Sequence, residues 1–373
     1  MKTKKIVINA LQYKKNSSGI GVLIRELFGP YTTMTSRKCE VIMPYDSPEF
    51  PGESAVQVRV PIEHGQSLKR IWFQTVEMGL RHCRDSVLLT TDSKVPLILP
   101  ASCTLLPLVT DLAVFRMPQV YRFSRVLLWK LQYRLICRRA SHFLAISEFT
   151  KKEMAELLHI PKENIHVIPC AQTPALKPMN RAEAYTSIGS RYHLPEKYLL
   201  FVGNSNPRKN LERMIRAFDL AKEKGGFEHH LVIAGEQGWK FDRAKALEGI
   251  RHQDEIHFIG FVPDEDMAAL YSAAELFVFP TLYEGFGIPV LEAQECGTPV
   301  LTSNCSSLPE VGKDSAIYVD PMDAEDIGNG IIRILNDRQL RDELIHKGYA
   351  NAERFSWLKS AEMLNKVIEE IVP

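Results

Sequence analysis

A chain of 373 residues is too long for one ordinary hydrophobic core, and the length implies about two domains. Hydrophobic residues make up 45% and charged residues 24%, the balance of a globular protein rather than a fibrous, disordered or membrane-embedded one. The net charge of +1 conceals a split, with 24 basic and 14 acidic residues in 1–175 against 22 and 31 in the remainder, so the halves suit different partners and the basic one suits an anionic lipid or substrate.

In chain order, KKIVINAL reads as a strand, followed by a glycine loop and the helix SSGIGVLIRELF. Gly19 and Gly21 allow close approach of backbone to a ligand, but position 24 is Ile, so the dinucleotide fingerprint lacks its third glycine and a NAD site is discounted. CEVIMP, SVLLTT and CTLLPLVTD are further strands, and Asp111 stands at the end of the last, placed to contact a substrate, act as a base or cap a turn. The stretch 116–139 carries seven Lys or Arg and no acid. There Lys130, Arg134 and Arg138 form one helical stripe, either a lipid-facing basic surface or a solvated helix face. HFLAIS leads into TKKEMAELLHI, where Thr150 and Glu153 read as a capping box. Three prolines in 169–178 mark a linker.

The second half alternates strand and helix more clearly. YLLFVG, HLVIAGE, EIHFIGFV, LFVFPT, PVLTS and AIYVD are strands, with NLERMIRAFDLAKEKGG, DEDMAALYSAA and GIPVLEAQEC as helices between them. Helices at 323–335, 337–353 and 357–371 close the chain. Such alternation predicts parallel doubly wound sheets, here two facing a central cleft, with ligand bound outside the carboxyl ends of the strands. Seven scattered cysteines without a C-x-x-C pair predict a reducing compartment and no structural zinc. With no signal-type apolar segment and no window long enough to span a bilayer, the expected location is cytoplasmic.

Two loops carry the strongest chemical signal. GNSNPRKN follows a strand and presents Arg208 and Lys209, adjacent cations suited to a diphosphate without a metal, or two solvated charges. YEGFGIPVLE places Gly285, Phe286 and Gly287 before a helix whose first turn holds Pro289. Amides at such a turn favour an anion, although glycine turns of this kind are common in themselves. Glu284 and Glu292 flank the turn as acceptors for sugar hydroxyls, or as a surface acid and a first-turn acid. The D-x-D of Asp264, Glu265 and Asp266 reads as a helix start, with Asp264 as N-cap, rather than a metal site.

Taken together and in order, PTLYEGFGIPVLEAQECGTPVLTSNCSSLPEV, VGNSNPRKNL, GIGVLIREL, FLAISEFTKKEM and FSWLKSAEML resemble glycosyltransferase family 4, the retaining group with the GT-B fold, and within it bacterial mannosyltransferases of surface-polysaccharide biosynthesis. The resemblance covers nearly the whole chain. It implies an N-terminal acceptor-binding Rossmann-like domain over 1–175, a C-terminal nucleotide-sugar domain over 176–355, and a final helix, 356–373, crossing back to the first domain. It implies that Glu292 binds the nucleotide ribose, that Glu284 lies near the transferred sugar, and that Gly285, Phe286 and Gly287 donate to phosphate and sugar. Arg208 and Lys209 match the cations on the diphosphate, Gly19 and Gly21 the loop under sugar and acceptor, and Asp111 the acid of a frequent His-Asp pair, whose histidine is Thr110 here. The implied activity is transfer of a hexose, mannose from GDP-mannose first among candidates, to a glycan or lipid-linked acceptor, without cofactor or metal and with possible contact to the anionic inner membrane face. UDP-sugar or GDP-fucose donors, an epimerase, a phosphorylase and a non-catalytic carbohydrate binder stand as alternatives.

Overall fold

The computed structural model describes residues 4–14, 19–52, 54–91, 95–238 and 241–372. The chain divides into two compact units, unit 1 of residues 1–170 and 356–373 and unit 2 of residues 171–355.

In unit 1 the strands are β1 (Lys5–Asn9), β2 (Cys39–Pro44), β3 (Ala55–Val60), β4 (Ser86–Thr90), β5 (Thr104–Val109), β6 (Phe143–Ala145) and β7 (Ile165–Val167). Its helices are α1 (Ile20–Met34), α2 (Ser67–Trp72), α3 (Met78–His82), α4 (Ala113–Arg116), α5 (Phe123–Arg139) and α6 (Glu148–Leu158). Among the described residues the sheet runs β3-β2-β1-β4-β5-β6-β7, every pair parallel. The interior strands β1 and β4 are buried almost throughout, as a parallel sheet covered on both faces requires. The edges β3 and β7 escape the sequence reading: β3 is half exposed and β7 has three residues, so neither shows an apolar run.

Unit 2 holds α7 (Arg181–Tyr192), β8 (Tyr198–Val202), α8 (Leu211–Gly225), β9 (His230–Ala234), α9 (Arg243–Leu247), β10 (Ile256–Gly260), α10 (Asp264–Ala273), β11 (Leu276–Phe279), α11 (Ile288–Glu295), β12 (Val300–Ser303), α12 (Leu308–Gly312), β13 (Ile317–Val319), α13 (Ala324–Asn336) and α14 (Arg338–Ala352). Its parallel sheet is ordered β10-β9-β8-β11-β12-β13. This is the Rossmann order, and the winding direction reverses between β8 and β11. The core there is aromatic, with Phe201, Phe277 and Phe279 fully buried and stacked along the switch strands.

The last helix, α15 (Trp357–Ile371), packs on α1 and so belongs to unit 1. It buries Trp357, Ala361, Leu364 and Ile368. Buried Arg37 grips it with a two-pronged bond to Glu369, at 2.7 and 2.8 Å, and Ser360 Oγ donates to the Pro169 carbonyl at 2.6 Å.

Two predicted caps are corrected. Helix α6 starts at Glu148 with Ser147 as N-cap, its Oγ accepting from Thr150 N at 2.9 Å. Ser147 leaves β6 in the extended region an N-cap needs, which displaces the box from Thr150, and Glu153 instead turns to Arg116 at 2.5 Å. Helix α10 has Pro263 rather than Asp264 at its N-cap. The acid that acts there is Asp266, bound by Arg191 Nη1 at 2.5 Å and Tyr192 OH at 2.6 Å, a structural anchor for α7.

The basic stripe of α5 is also redistributed. Val126, Tyr133 and Ile136 face inward, while Lys130 lies over the Phe115 ring and Arg125 over Trp129. The outward side exposes Phe123, Leu127 and Leu131 ahead of Arg134 and Arg138. Among the described residues no helix is long and apolar enough to cross a membrane.

Candidate functional site

The two loops singled out in the sequence meet at the switch point of unit 2. The loop after β8 ends in a short 3₁₀ turn, Pro207–Lys209, capped by Asn206, whose Oδ1 accepts from Arg208 N at 2.9 Å. The loop after β11 runs from Pro280 into α11. Asn210 ties the pair together through its side-chain amide, which donates to the Pro280 and Pro321 carbonyls at 2.9 and 2.7 Å. Leu282 N completes the link to the Arg208 carbonyl at 2.9 Å.

This scaffold delivers both cations to one carboxylate. Lys209 Nζ lies 2.9 Å from Glu284 Oε1, and Arg208 Nη1 lies 3.2 Å from Oε2 and 2.9 Å from the Tyr283 carbonyl. The Lys209 ammonium also stands 4.6 Å from the centre of the Phe279 ring. Burial alone would raise the Glu284 carboxyl, but Arg208 and Lys209 outweigh it and hold the group below the usual glutamate value. Two positive charges thus share one negative charge where α/β sheets bind ligands, and the surplus favours an anion.

The glycine turn is braced from below. Ser307 Oγ donates to the Phe286 carbonyl at 2.7 Å and is 3.0 Å from that of Glu284, while Glu284 N donates to Ser306 Oγ at 3.1 Å. Phe286 is buried edge-on against Phe355, ring centres 5.6 Å apart. Gly287 has φ of 110°, and a Cβ there would come within 2.7 Å of Leu308, so only glycine passes this corner without strain. The turn thereby stands at the N-terminus of α11, with Pro289 in its first turn.

Glu292 lies elsewhere on α11 and does not join that cluster. Its Oε1 accepts from Thr173 Oγ1 at 2.8 Å and its Oε2 from Tyr271 OH at 3.1 Å. Burial raises its carboxyl and the two hydroxyls only partly offset this. Thr173 and Tyr271 were not singled out from the sequence, and neither motif nor spacing marks them: they lie 119 and 21 residues from Glu292 and meet it only through packing. Ser306 and Ser307 lie in the stretch 280–311, but nothing in the sequence marks either hydroxyl as a brace for the turn.

The remaining predicted residues belong to unit 1. Gly19, with φ of 59°, precedes α1 and Gly21 is buried in its first turn; residues 15–18 ahead of them lie outside the described residues. Asp111 caps a turn, its Oδ1 accepting from Ala113 N at 3.0 Å, and its carbonyl accepts from Tyr133 OH at 3.3 Å. Ile20, Thr110, Asp111, Tyr121 and Trp129 line a pocket of about 170 Å³ at the carboxyl end of β5.

Two parallel doubly wound units, one with a cation-rich loop and a glycine turn at its switch point, are the architecture of the GT-B fold. Residues 190–351 match the family Glycosyl transferases group 1, and residues 110–172 match Glycosyltransferase Family 4. The chain is 33% identical over 249 residues to an O-antigen chain mannosyltransferase B of Escherichia coli, a stretch covering 66% of this chain and 65% of the relative. It is 34% identical over 231 residues to the serotype-specific mannosyltransferase WbdA of the same organism, covering 60% of this chain and 28% of that one. The matches thus span less than two thirds of either relative. Among solved structures, sucrose-phosphate synthase from Thermosynechococcus elongatus superposes with a TM-score of 0.75 at 19% identity, covering 99% of both chains, a likeness of fold.

Proposed function

We propose that this chain moves a sugar, mannose from GDP-mannose first among donors, to a hydroxyl of a glycan or lipid-linked oligosaccharide, with retention of configuration. The observation that carries the reading is the pairing of Arg208 and Lys209 around Glu284 beside the glycine turn. In the reaction the bond from the sugar's anomeric carbon to the β-phosphate oxygen breaks, and a new bond to the acceptor oxygen forms on the same face. The acceptor's proton passes to the departing phosphate, and GDP leaves. Arg208, Lys209 and the amides of Gly285, Phe286 and Gly287 stabilise the charge that develops on the diphosphate. Two fixed cations meet this demand without a metal ion, and no cofactor is invoked. Glu284 orients sugar hydroxyls, Glu292 accepts from the ribose, and Gly19, Gly21 and Asp111 serve the acceptor side. The mannosyltransferase relatives favour mannose, and GDP-fucose or UDP-sugars are the competing donors. The acid-poor, cation-rich first half favours work at the anionic cytoplasmic face of a membrane.

The test is a thermal-shift panel of GDP, UDP, ADP and their sugars on the wild type and Lys209→Ala. GDP is expected to give the largest rise, because a ligand that binds only the folded state stabilises it. Lys209→Ala is expected to lower transfer about 10²–10³-fold, as loss of a charge-stabilising donor does elsewhere. Unchanged turnover in that variant would refute the diphosphate role.

A further inference from the structure

Glu292 differs from Glu284 in the company it keeps. It takes its hydrogen bonds from two neutral hydroxyls, one on each carboxylate oxygen, and both come from other parts of unit 2. Tyr271 is fully buried on α10, its ring edge-on to Phe277 with centres 5.5 Å apart. Its carbonyl accepts from Thr298 Oγ1 at 2.7 Å, and the next residue, Ser272, donates through Oγ to the Cys296 carbonyl at 3.3 Å. Helix α10 is thus fastened at two points to the chain that follows α11, which fixes the direction of the phenol. Thr173 belongs to a stretch also tied to α11, with Gln172 Nε2 3.2 Å from Glu295 Oε2 and Lys177 Nζ 3.9 Å from Glu295 Oε1. The Thr173 carbonyl accepts from Leu176 N at 3.0 Å and closes the turn.

A carboxylate offers about four lone-pair positions, two on each oxygen. With one hydroxyl on each oxygen, one further acceptor position remains on each, side by side. That geometry suits two neighbouring hydroxyls of one ligand, a vicinal diol. Five residues of helix separate Gly287 from Glu292, a rise of about 7.5 Å, close to the reach from the β-phosphate of a nucleoside diphosphate to its ribose hydroxyls. The charge balance depends on the same two side chains. Burial pushes the Glu292 carboxyl up, the Thr173 and Tyr271 hydroxyls pull it back in part, and Asp264 at the start of α10 pushes it up again. Cys296, at the end of α11, is pushed up to about 12 by burial and by Glu292, so it stays a neutral thiol.

We propose that Tyr271 and Thr173 are positioning residues that aim Glu292 at the 2′- and 3′-hydroxyls of the donor's ribose, and that through them the chain selects ribonucleotides over 2′-deoxyribonucleotides whatever the base. The inference rests on the reading of Glu292 as the ribose acceptor and adds what makes that acid selective. A site built to bond a hydroxyl rejects the analogue that lacks it, because its buried acceptor is then left unpaired. The rejection holds only while the carboxylate keeps one orientation and stays charged. Without either hydroxyl it turns more freely and takes up a proton more readily, and a protonated carboxyl accepts at fewer positions.

The experiment is calorimetric titration of the full chain with GDP, UDP and their 2′-deoxy forms across the acid and neutral range, on the wild type, Tyr271→Phe, Thr173→Val and Thr173→Ser. The wild type is expected to hold the ribonucleotide about ten- to hundredfold more tightly than its deoxy form, the worth of a hydrogen bond to a charged acceptor. In Tyr271→Phe and Thr173→Val the ratio is expected to fall to about threefold or less. Binding weakens as pH falls through the folded-state value of Glu292, and in both variants that weakening is expected to begin at higher pH, since burial and Asp264 are then less opposed. Thr173→Ser keeps the hydroxyl and is expected to keep both the ratio and the pH profile. Thr173 is half-buried and valine has its shape, so this arm decides the matter should Tyr271→Phe fail to fold. Folded variants with the full ribose preference and the wild-type pH profile overturn the inference. An equal loss for ribo and deoxy forms marks a structural role and also overturns it. A wild type that binds nucleotide without preferring ribose overturns it and leaves the diphosphate role of Arg208 and Lys209 standing. A preference for UDP refutes only the GDP assignment, and both ideas fall if neither nucleotide binds.

Discussion

Seven residues lie between Glu284 and Glu292, yet the fold puts the two acids in opposite electrostatic situations. Cations lower the first, and burial raises the second. A carboxyl raised on folding costs stability once pH rises above its unfolded value, because the folded state then holds a charge it disfavours. Glu292→Gln removes that cost. The expected outcome is a urea midpoint at pH 8 equal to or above the wild type's, with GDP affinity weaker by about ten- to hundredfold, the range for losing a charged hydrogen-bond acceptor. A lower midpoint with unchanged affinity would make Glu292 a structural residue. Sequence reading located both acids because the glycine turn that separates them is local. It did not locate Thr173 or Tyr271, because a hydroxyl that finds its carboxylate through tertiary packing leaves no trace in spacing.

The elements of the core were legible where burial is continuous. β1, β4, β8 and β11 are apolar runs because helices cover both faces of the sheet, and the run itself is the signal. The edges and the caps were not, since a half-wet strand such as β3 alternates weakly and a cap depends on which residue turns out of the preceding strand. Helix α6 illustrates the second case. Ser147 satisfies Thr150 N from a fully buried position, and its hydroxyl is also 3.0 Å from Thr150 Oγ1. Ser147→Ala is expected to cost about 1 kcal/mol. In a unit of this size that lowers the melting temperature by about 2–4 °C, whereas Thr150→Val should spare the cap itself. Calorimetry on the two variants distinguishes Ser147 from Thr150 as the N-cap.

At the scale of the molecule the two units differ in how the chain supplies them. Unit 2 is one uninterrupted stretch, 171–355, with its own six-stranded sheet and aromatic core. The fragment 171–355 is therefore expected to fold alone, to melt cooperatively and to show a GDP-induced rise comparable to that of the full chain, as Arg208, Lys209, Glu284 and Glu292 all lie within it. A fragment that folds but shows no rise would mean that nucleotide binding needs residues of unit 1.

Unit 1 is closed by the last helix, and α15 reaches α1 only through residues at the far end of the sequence. On the ribosome this sets an order of events. Domains fold as units while synthesis proceeds at about 5–20 residues per second. Unit 2 has its whole sequence once residue 355 is made, but the apolar flank of α1 and the guanidinium of Arg37 wait for Trp357 to Glu369. The second-born half is thus finished first. A premature stop at the start of the final eighteen residues would leave the 171–355 unit whole while the first-made half stays open.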